Sequence, residues 1–417
     1  MKNLVLSLLA LTGLFLSACD NDSNEGTTFQ EPIKINLSGS EIQMANEGNA
    51  FAAKLFSAIH ENEAEKENIV ISPLSLNMAL AMAWNGAGGE TKQAIQKAMG
   101  MSEYPQTEVN AYFQKMREAL LKTDPTVKLA IANSIWSRTG FPVKPDFYKI
   151  NKEWYNAEAR ELDFSAPSAP DIINQWCSDN TQGLIKEIIN GAIPGEVVMY
   201  LINALYFKGE WSDKYGFATS GTADAPFYKE NKQQESVKMM NQNSLLNYYS
   251  DEYLASTVLP YGNGAFSMVF ILPNDNTSFD KVLTQLEEPN YWNKCLNPSV
   301  IADVNLYMPK FKFEYEKTLN ETLVQLGMGI AFSEFADFSE ISTIPLCISQ
   351  VKQKACIEVN EEGSEAAAVT VVEFGVTSFP PSTPQKITFR ADRPFLFAIK
   401  ENSTGTVLFM GEIGNPK

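Results

Sequence analysis

The sequence predicts an α+β fold, and three observations predict it. Helical periodicity dominates the chain up to about residue 190, strand-like runs dominate the remainder, and the two never alternate as a parallel βαβ sheet requires. Phe51, Leu55, Phe56 and Ile59 recur at helical spacing up to His60. Ser72-Pro73 opens a second helix, since serine can cap an N-terminus and proline fits the first turn. Its Leu74, Leu76, Met78, Leu80, Met82 and Trp84 are apolar nearly all round, which predicts a central, buried helix. Gly86, Gly88 and Gly89 end it, and Gly100 ends the next, Thr91–Met99. Strands are expected at Val197–Phe207, Thr257–Pro260, Phe266–Leu272, Val304–Phe313, Ala355–Val359 and Ile387–Phe389. Phe395–Ile399 and Val407–Met410, with a turn over Glu401–Thr406, read as a C-terminal hairpin.

Composition narrows the function. With 417 residues, 44% of them hydrophobic, the chain can bury a large core, and a large mixed sheet can hold this length in one domain. Acidic residues outnumber basic ones 50 to 33, for a net charge of −17, which argues against nucleic acid as a partner, and no basic cluster suits a heparin-like polyanion. There is 1 histidine, His60, and its context is that of an ordinary residue at a helix end. A Ser-His-Asp or Cys-His enzyme would have to rest on it alone. No cysteine sits at metal-ligand spacing, and no phosphate-cradling glycine loop comes after a strand. No catalytic residue, metal ligand or cofactor is therefore assigned.

The N-terminus reads as an address. Lys2, the apolar run Leu4–Leu16, and then Leu16-Ser17-Ala18-Cys19 resemble a bacterial lipoprotein signal. Residues 1–18 would be removed, Cys19 would carry the lipid, and the polar stretch through residue 41 would tether a domain spanning 42–417. That implies an extracytoplasmic protein anchored to a bacterial membrane. Cys177, Cys295, Cys347 and Cys356 remain, and the sequence does not choose a pairing.

Five segments, in order, resemble the serpin family of serine protease inhibitors. They are Asn68-Ile69-Val70-Ile71-Ser72-Pro73-Leu74-Ser75, Gly86-Ala87 through Thr91, and Asn203-Ala204-Leu205-Tyr206-Phe207-Lys208-Gly209-Glu210-Trp211. Glu361-Glu362-Gly363-Ser364-Glu365-Ala366-Ala367-Ala368 is the fourth, and the hairpin from Ala391-Asp392-Arg393-Pro394-Phe395 to Gly411 is the fifth. The resemblance implies a single large domain with three sheets, eight or nine helices and an exposed reactive loop. It places Ser72, Pro73, Ser75, Asn203, Trp211 and Gln353 where the main sheet opens, and makes Glu361–Ala368 the hinge of the loop. Gln353 stands where the family often has histidine, and Tyr215 where it usually has phenylalanine. The resemblance implies no enzyme but a suicide substrate: a protease cuts the loop, is acylated, and is trapped as the loop enters the sheet. A binding or storage protein of the same fold is the alternative. A monomer is expected.

The loop supports that reading on its own terms. Written as a strand, Gly363–Val376 puts Ser364, Ala366, Ala368, Thr370, Val372, Phe374 and Val376 on one face, and every charge on the other. Spacing from Glu361 as in similar serpins makes Thr377-Ser378 the reactive bond, with Val376-Thr377 as the alternative. Both suit a shallow elastase-type pocket, and Phe374 offers a chymotrypsin-type site. No Arg or Lys lies between Gly363 and Gln385, which argues against trypsin-like targets.

Overall fold

The computed structural model describes residues 31–63, 66–364 and 384–417. Cys19, the hinge residues Glu365, Ala366, Ala367 and Ala368, and the expected reactive bond at Val376, Thr377 and Ser378 lie outside the described residues.

Nine α-helices occur among the described residues: α1 (Gly39–Asn62), α2 (Pro73–Trp84), α3 (Gly89–Ala98), α4 (Gln106–Leu120), α5 (Pro145–Tyr155), α6 (Ala169–Asn180), α7 (Phe279–Leu286), α8 (Pro289–Leu296) and α9 (Asn320–Leu323). The strands are β1 (Asn68–Ile71), β2 (Lys128–Arg138), β3 (Glu158–Leu162), β4 (Met199–Glu210), β5 (Ala223–Tyr228), β6 (Gln234–Ser250), β7 (Leu254–Tyr261), β8 (Phe266–Pro273), β9 (Val300–Pro309), β10 (Phe311–Thr318), β11 (Lys352–Val359), β12 (Gly363–Ser364), β13 (Lys386–Arg390), β14 (Phe395–Glu401) and β15 (Val407–Ile413). They form three sheets: a large one ordered β1-β15-β14-β8-β7-β6-β9-β13 with β5 on β6, a second ordered β12-β4-β2-β3, and the pair β10-β11.

The buried helix foreseen from Pro73 is α2, buried along almost its whole length and packed against both β4 and β15. One detail differs. Ser72 occupies the N-cap position, but its hydroxyl makes no capping bond; it donates to the Leu408 carbonyl at 2.8 Å, fixing the helix to β15. At the start of α1, in contrast, a capping box does form. Glu41 N–H donates to Ser38 Oγ, and Ser38 N–H donates to the Glu41 carboxylate at 2.6 Å. The expected domain boundary at residue 42 thus falls inside α1. The domain reaches back further, because Ile33 N–H donates to the Thr123 carbonyl at 3.1 Å and Ile35 is buried.

Two strand expectations also change. Val304–Phe313 is not one strand but parts of β9 and β10, which belong to different sheets. Pro309 has no N–H to continue the ladder, and Lys310 N–H turns to the Lys238 carbonyl at 2.8 Å. Within the helix-dominated stretch lies β2, whose Asn133–Ser137 is buried on both faces. Burial on both sides removes the alternation by which a strand is recognised.

The candidate functional site: a strand gap and its hinge

The site is built from what β4 lacks. One edge of β4 is laddered to β2 over ten rungs, Met199↔Ser137 to Lys208↔Lys128. Among the described residues its other edge carries only the two rungs of β12, Gly363↔Glu210 and Ser364↔Gly209, running antiparallel. β11 is laddered to β10 along its length, and no ladder joins β4 to β11 among the described residues. Between them lies a cavity of about 390 Å³, floored by Ser75, Leu76 and Leu80 of α2 and walled by Asn203 of β4 and Gln353 of β11. Edge strands with unpaired amides accept another strand.

The hinge above this gap is held by a polar network. After β11 the chain turns at Asn360, whose N–H donates to the Gly363 carbonyl at 2.9 Å while its Oδ1 accepts from Glu362 N–H and Gly363 N–H. Trp211 holds the turn twice: its indole N–H donates to the Asn360 carbonyl at 3.1 Å, and its backbone N–H to the Glu362 carbonyl at 2.8 Å. The indole stacks on Tyr261 at 4.5 Å, and Phe217 packs edge-on against it at 6.2 Å. The Tyr261 hydroxyl and Ser364 Oγ share a hydrogen bond of 2.7 Å. Burial pushes the Tyr261 phenol far up, so it stays neutral and can serve as donor or acceptor.

Glu361 is the charged member. Lys310 Nζ lies 2.7 Å from one carboxylate oxygen, and Thr222 Oγ1 donates to the other at 2.8 Å. Burial opposes ionisation of this carboxyl, but the bonds from Lys310 and Thr222 outweigh it and hold the pKa below the ordinary value. Gly363 is required by sterics. Its φ is +149°, and a Cβ there would lie 2.2 Å from the Gly209 carbonyl oxygen and 2.6 Å from Glu210 Cα.

At the lower end, Gln353 of β11 is doubly paired with the backbone of Ser72. Ser72 N–H donates to Gln353 Oε1 at 3.1 Å, and Gln353 Nε2 donates to the Ser72 carbonyl at 2.8 Å. A single amide supplies both donor and acceptor here without titrating, so this bond set is independent of pH, as an imidazole's would not be. Asn203 donates across to Asn133 Oδ1 at 2.7 Å, and its own Oδ1 is buried without a partner.

The structure therefore gathers the expected residues into two groups. Ser72, Ser75, Asn203 and Gln353 line the gap, with Pro73 at the first turn of α2. Trp211, Glu361, Gly363 and Ser364 form the hinge seat. Sequence reasoning missed Tyr261, Lys310, Thr222 and Asn360. It also passed over His60, whose Nδ1 lies 2.7 Å from the buried Glu412 and whose Nε2 lies 3.2 Å from Asp280. Contacts made across the sheet leave no local pattern; only Asn360, at an Asx turn before a glycine, carried a readable signal.

Two strands that share no ladder among the described residues, with Gly363 and Ser364 paired to one of them at the end of the space between, define a protein that can take up a further strand there. Comparison with known proteins agrees. The family described as Serpin (serine protease inhibitor) matches residues 46–416. The human leukocyte elastase inhibitor is 36% identical over 387 residues, covering 90% of this chain and 100% of that protein. Among solved structures, tengpin, a thermophilic serpin in its native state, superposes with a TM-score of 0.80 at 34% identity, covering 93% of this chain and 97% of that one. An Arabidopsis serpin in a native stressed conformation gives 0.79 at 27% identity, over 91% and 99%. The chain belongs to the serpin family, a family of protease inhibitors rather than catalysts.

Proposed function

We propose that this chain is an inhibitory serpin that traps serine proteases as covalent acyl-enzymes by drawing its cut loop into the gap between β4 and β11. The observation that carries the proposal is the pair of rungs at Gly363–Ser364, antiparallel to β4 and already inside the gap. A binding or storage protein of this fold has no need of a small-residue hinge, and Ser364, Ala366, Ala368 and Thr370 are all small.

The protease nucleophile attacks Thr377, or Val376 in the alternative register, and forms an acyl bond while the new amino terminus leaves at Ser378, or at Thr377 in the alternative. The freed arm continues from Ser364 down the β4 edge and carries the protease with it. Distortion of the protease then stalls deacylation, since even one lost oxyanion-hole donor costs about 10²–10³ in rate. Small, uncharged residues about the expected bond favour elastase-like targets, in keeping with the human relative that is an elastase inhibitor. Chymotrypsin-like enzymes acting at Phe374 are the second class. Cys19 carries the lipid in this reading and holds the inhibitor on an extracytoplasmic membrane face.

Incubation with elastase-type and chymotrypsin-type proteases, read on a denaturing gel, tests the proposal. A covalent band at the mass of the protease plus the inhibitor less its released C-terminal fragment, with loss of protease activity, is expected. Clean cleavage with full protease activity would favour the non-inhibitory alternative.

A further inference from the structure

The two observed rungs fix a register. Each step forward along the loop is one step back along β4 from Ser364↔Gly209. A strand continuing in that register would set Phe374 opposite Met199, the last ladder residue of β4, and Thr377 opposite Glu196. The last stretch of the arm, bearing the acylated residue, would therefore run beside Pro194–Val198, beyond the end of β4.

Among the described residues one side chain gathers the carbonyls of that segment. Arg138, at the end of β2, donates from Nε to the Val197 carbonyl at 3.0 Å and from Nη2 to the carbonyls of Val197, Gly195 and Pro194 at 2.7, 3.1 and 3.2 Å. Its backbone N–H donates to the Val198 carbonyl at 2.9 Å, one step past the final β2–β4 rung. The guanidinium lies 5.3 Å from the Phe164 ring, and Asp163 is its nearby acidic neighbour. Val197 N–H closes a turn onto the Pro194 carbonyl at 3.1 Å, so the acceptors converge because the backbone turns there. The same stretch, Pro194, Val197 and Val198, lines the gap. A five-donor fork is the side chain suited to gathering several carbonyls, and the bonds are charge-assisted.

We propose that Arg138 is a positioning residue for trapping: it holds the far end of the insertion path rigid, so that the final residues of the arm dock and the acyl bond is carried its full distance. The proposal rests on the loop-insertion reading above. Arg138 stands at the end of the β2–β4 ladder opposite the hinge, where only the last residues of the arm would arrive, so it acts after acylation, on the partition between completed insertion and hydrolysis.

The test uses the mature protein with Arg138→Ala and Arg138→Lys. The rate of loop attack should be unchanged. The number of inhibitor molecules consumed per protease trapped should rise about threefold to tenfold in Arg138→Ala, the scale of a lost charge-assisted bond, and by less in Arg138→Lys, whose ammonium can keep one carbonyl. A second readout separates positioning from mere support of the fold. Cleavage by untrapped proteases after Thr377 or after Phe374 gives arms that do and do not reach the clamped segment. Arg138→Ala should lose part of the thermal gain for the longer arm only. Unchanged stoichiometry, or an equal loss of gain for both arms, overturns the role of Arg138. A wild-type protein that traps no protease overturns the insertion reading itself.

Discussion

Replacing Gly363 with alanine tests the hinge seat most directly. The added Cβ would sit 2.2 Å from the Gly209 carbonyl oxygen, 2.6 Å from Glu210 Cα and 3.0 Å from Trp211 N, all of them backbone atoms of the receiving strand and the residue after it. None can move aside as a flexible side chain would, and the φ of +149° is itself open to glycine alone. Strain of this kind costs about 1–3 kcal/mol for the dihedral, and the clash adds to it, so seating the hinge should be disfavoured by roughly 3 kcal/mol. That is about a hundredfold fall in the seated population. The distant core is untouched, so the uncut protein should still fold. Loop attack should be normal, because the expected bond at Thr377-Ser378 is unaltered. The outcome should shift from trapping to cleavage, measured as inhibitor consumed per protease inactivated and as the ratio of covalent complex to cut protein on a denaturing gel. If Gly363→Ala traps as efficiently as wild type, the two rungs on β4 are not the start of insertion and the reasoning fails.

Ser364→Arg presses the same point by charge: Ser364 is 4% exposed and bonded to Tyr261, so an unpaired cation there should cost several kcal/mol and yield a substrate cut at the same bond, which mass spectrometry of the released fragment would check. Glu361→Lys sets a second cation beside Lys310; since Lys310 is partly exposed, a loss of about 1–2 kcal/mol is expected in denaturant melts, with restoration by Lys310→Glu. His60 supplies the pH dependence: burial works against its charge, but bonding to Glu412 and Asp280 prevails and raises its pKa above 6.5. Its stabilising effect is therefore complete below the unfolded value and fades as pH rises through the folded one, so the melting temperature should fall as pH rises above about 6.5, and His60→Gln should flatten that slope. Cys19→Ala should release the protein from membrane fractions or block its maturation; wild-type protein that is wholly soluble with an unmodified N-terminus would refute the anchor.

Local chemistry made some of this architecture legible and hid the rest. The α2 helix was readable because Ser72-Pro73 and an all-round apolar run are signals within one element, and the C-terminal hairpin because its turn lies between two apolar strands. Gly363 was readable as part of a hinge by resemblance, yet the reason for glycine is Gly209, more than a hundred residues away in the chain, whose carbonyl approaches too closely for any Cβ. Lys310 stands at the β9–β10 break and reads as a loop lysine until the fold sets it on Glu361. Ser72 was legible as a cap by type, but the tertiary partner Leu408 competes for its hydroxyl and wins. Residues acting within an element declare themselves, while those acting between elements need the sheet order first.

The register also bears on why insertion should run to completion. For the residues of the arm beyond Ser364, backbone hydrogen bonds at roughly 1 kcal/mol each are offset or exceeded by the cost of ordering those residues, roughly 1–2 kcal/mol each. The drive must come from burial. Along β4, Met199, Leu201, Leu205 and Phe207 face the main core, while Tyr200, Ile202 and Ala204 belong to the second cluster, with α6. Cross-strand partners share a face, so a strand in register with Ser364↔Gly209 would bring Ala366 opposite Phe207, Ala368 opposite Leu205, Val372 opposite Leu201 and Phe374 opposite Met199. Small side chains then meet large ones near the hinge, where Phe207, Ile399 and Phe409 close to a narrow space. Large side chains would arrive lower down, where Met199 and Leu201 line the cavity of about 390 Å³ beside α2. Burying Val372 and Phe374 contributes roughly 1.5–3 kcal/mol each, and only after most of the arm has entered. The early steps thus bring no net gain and are reversible, and the gain comes late. An arm stopped at the hinge has little reason to proceed, which is why single changes at Gly363 or Ser364 should suffice to turn an inhibitor into a substrate.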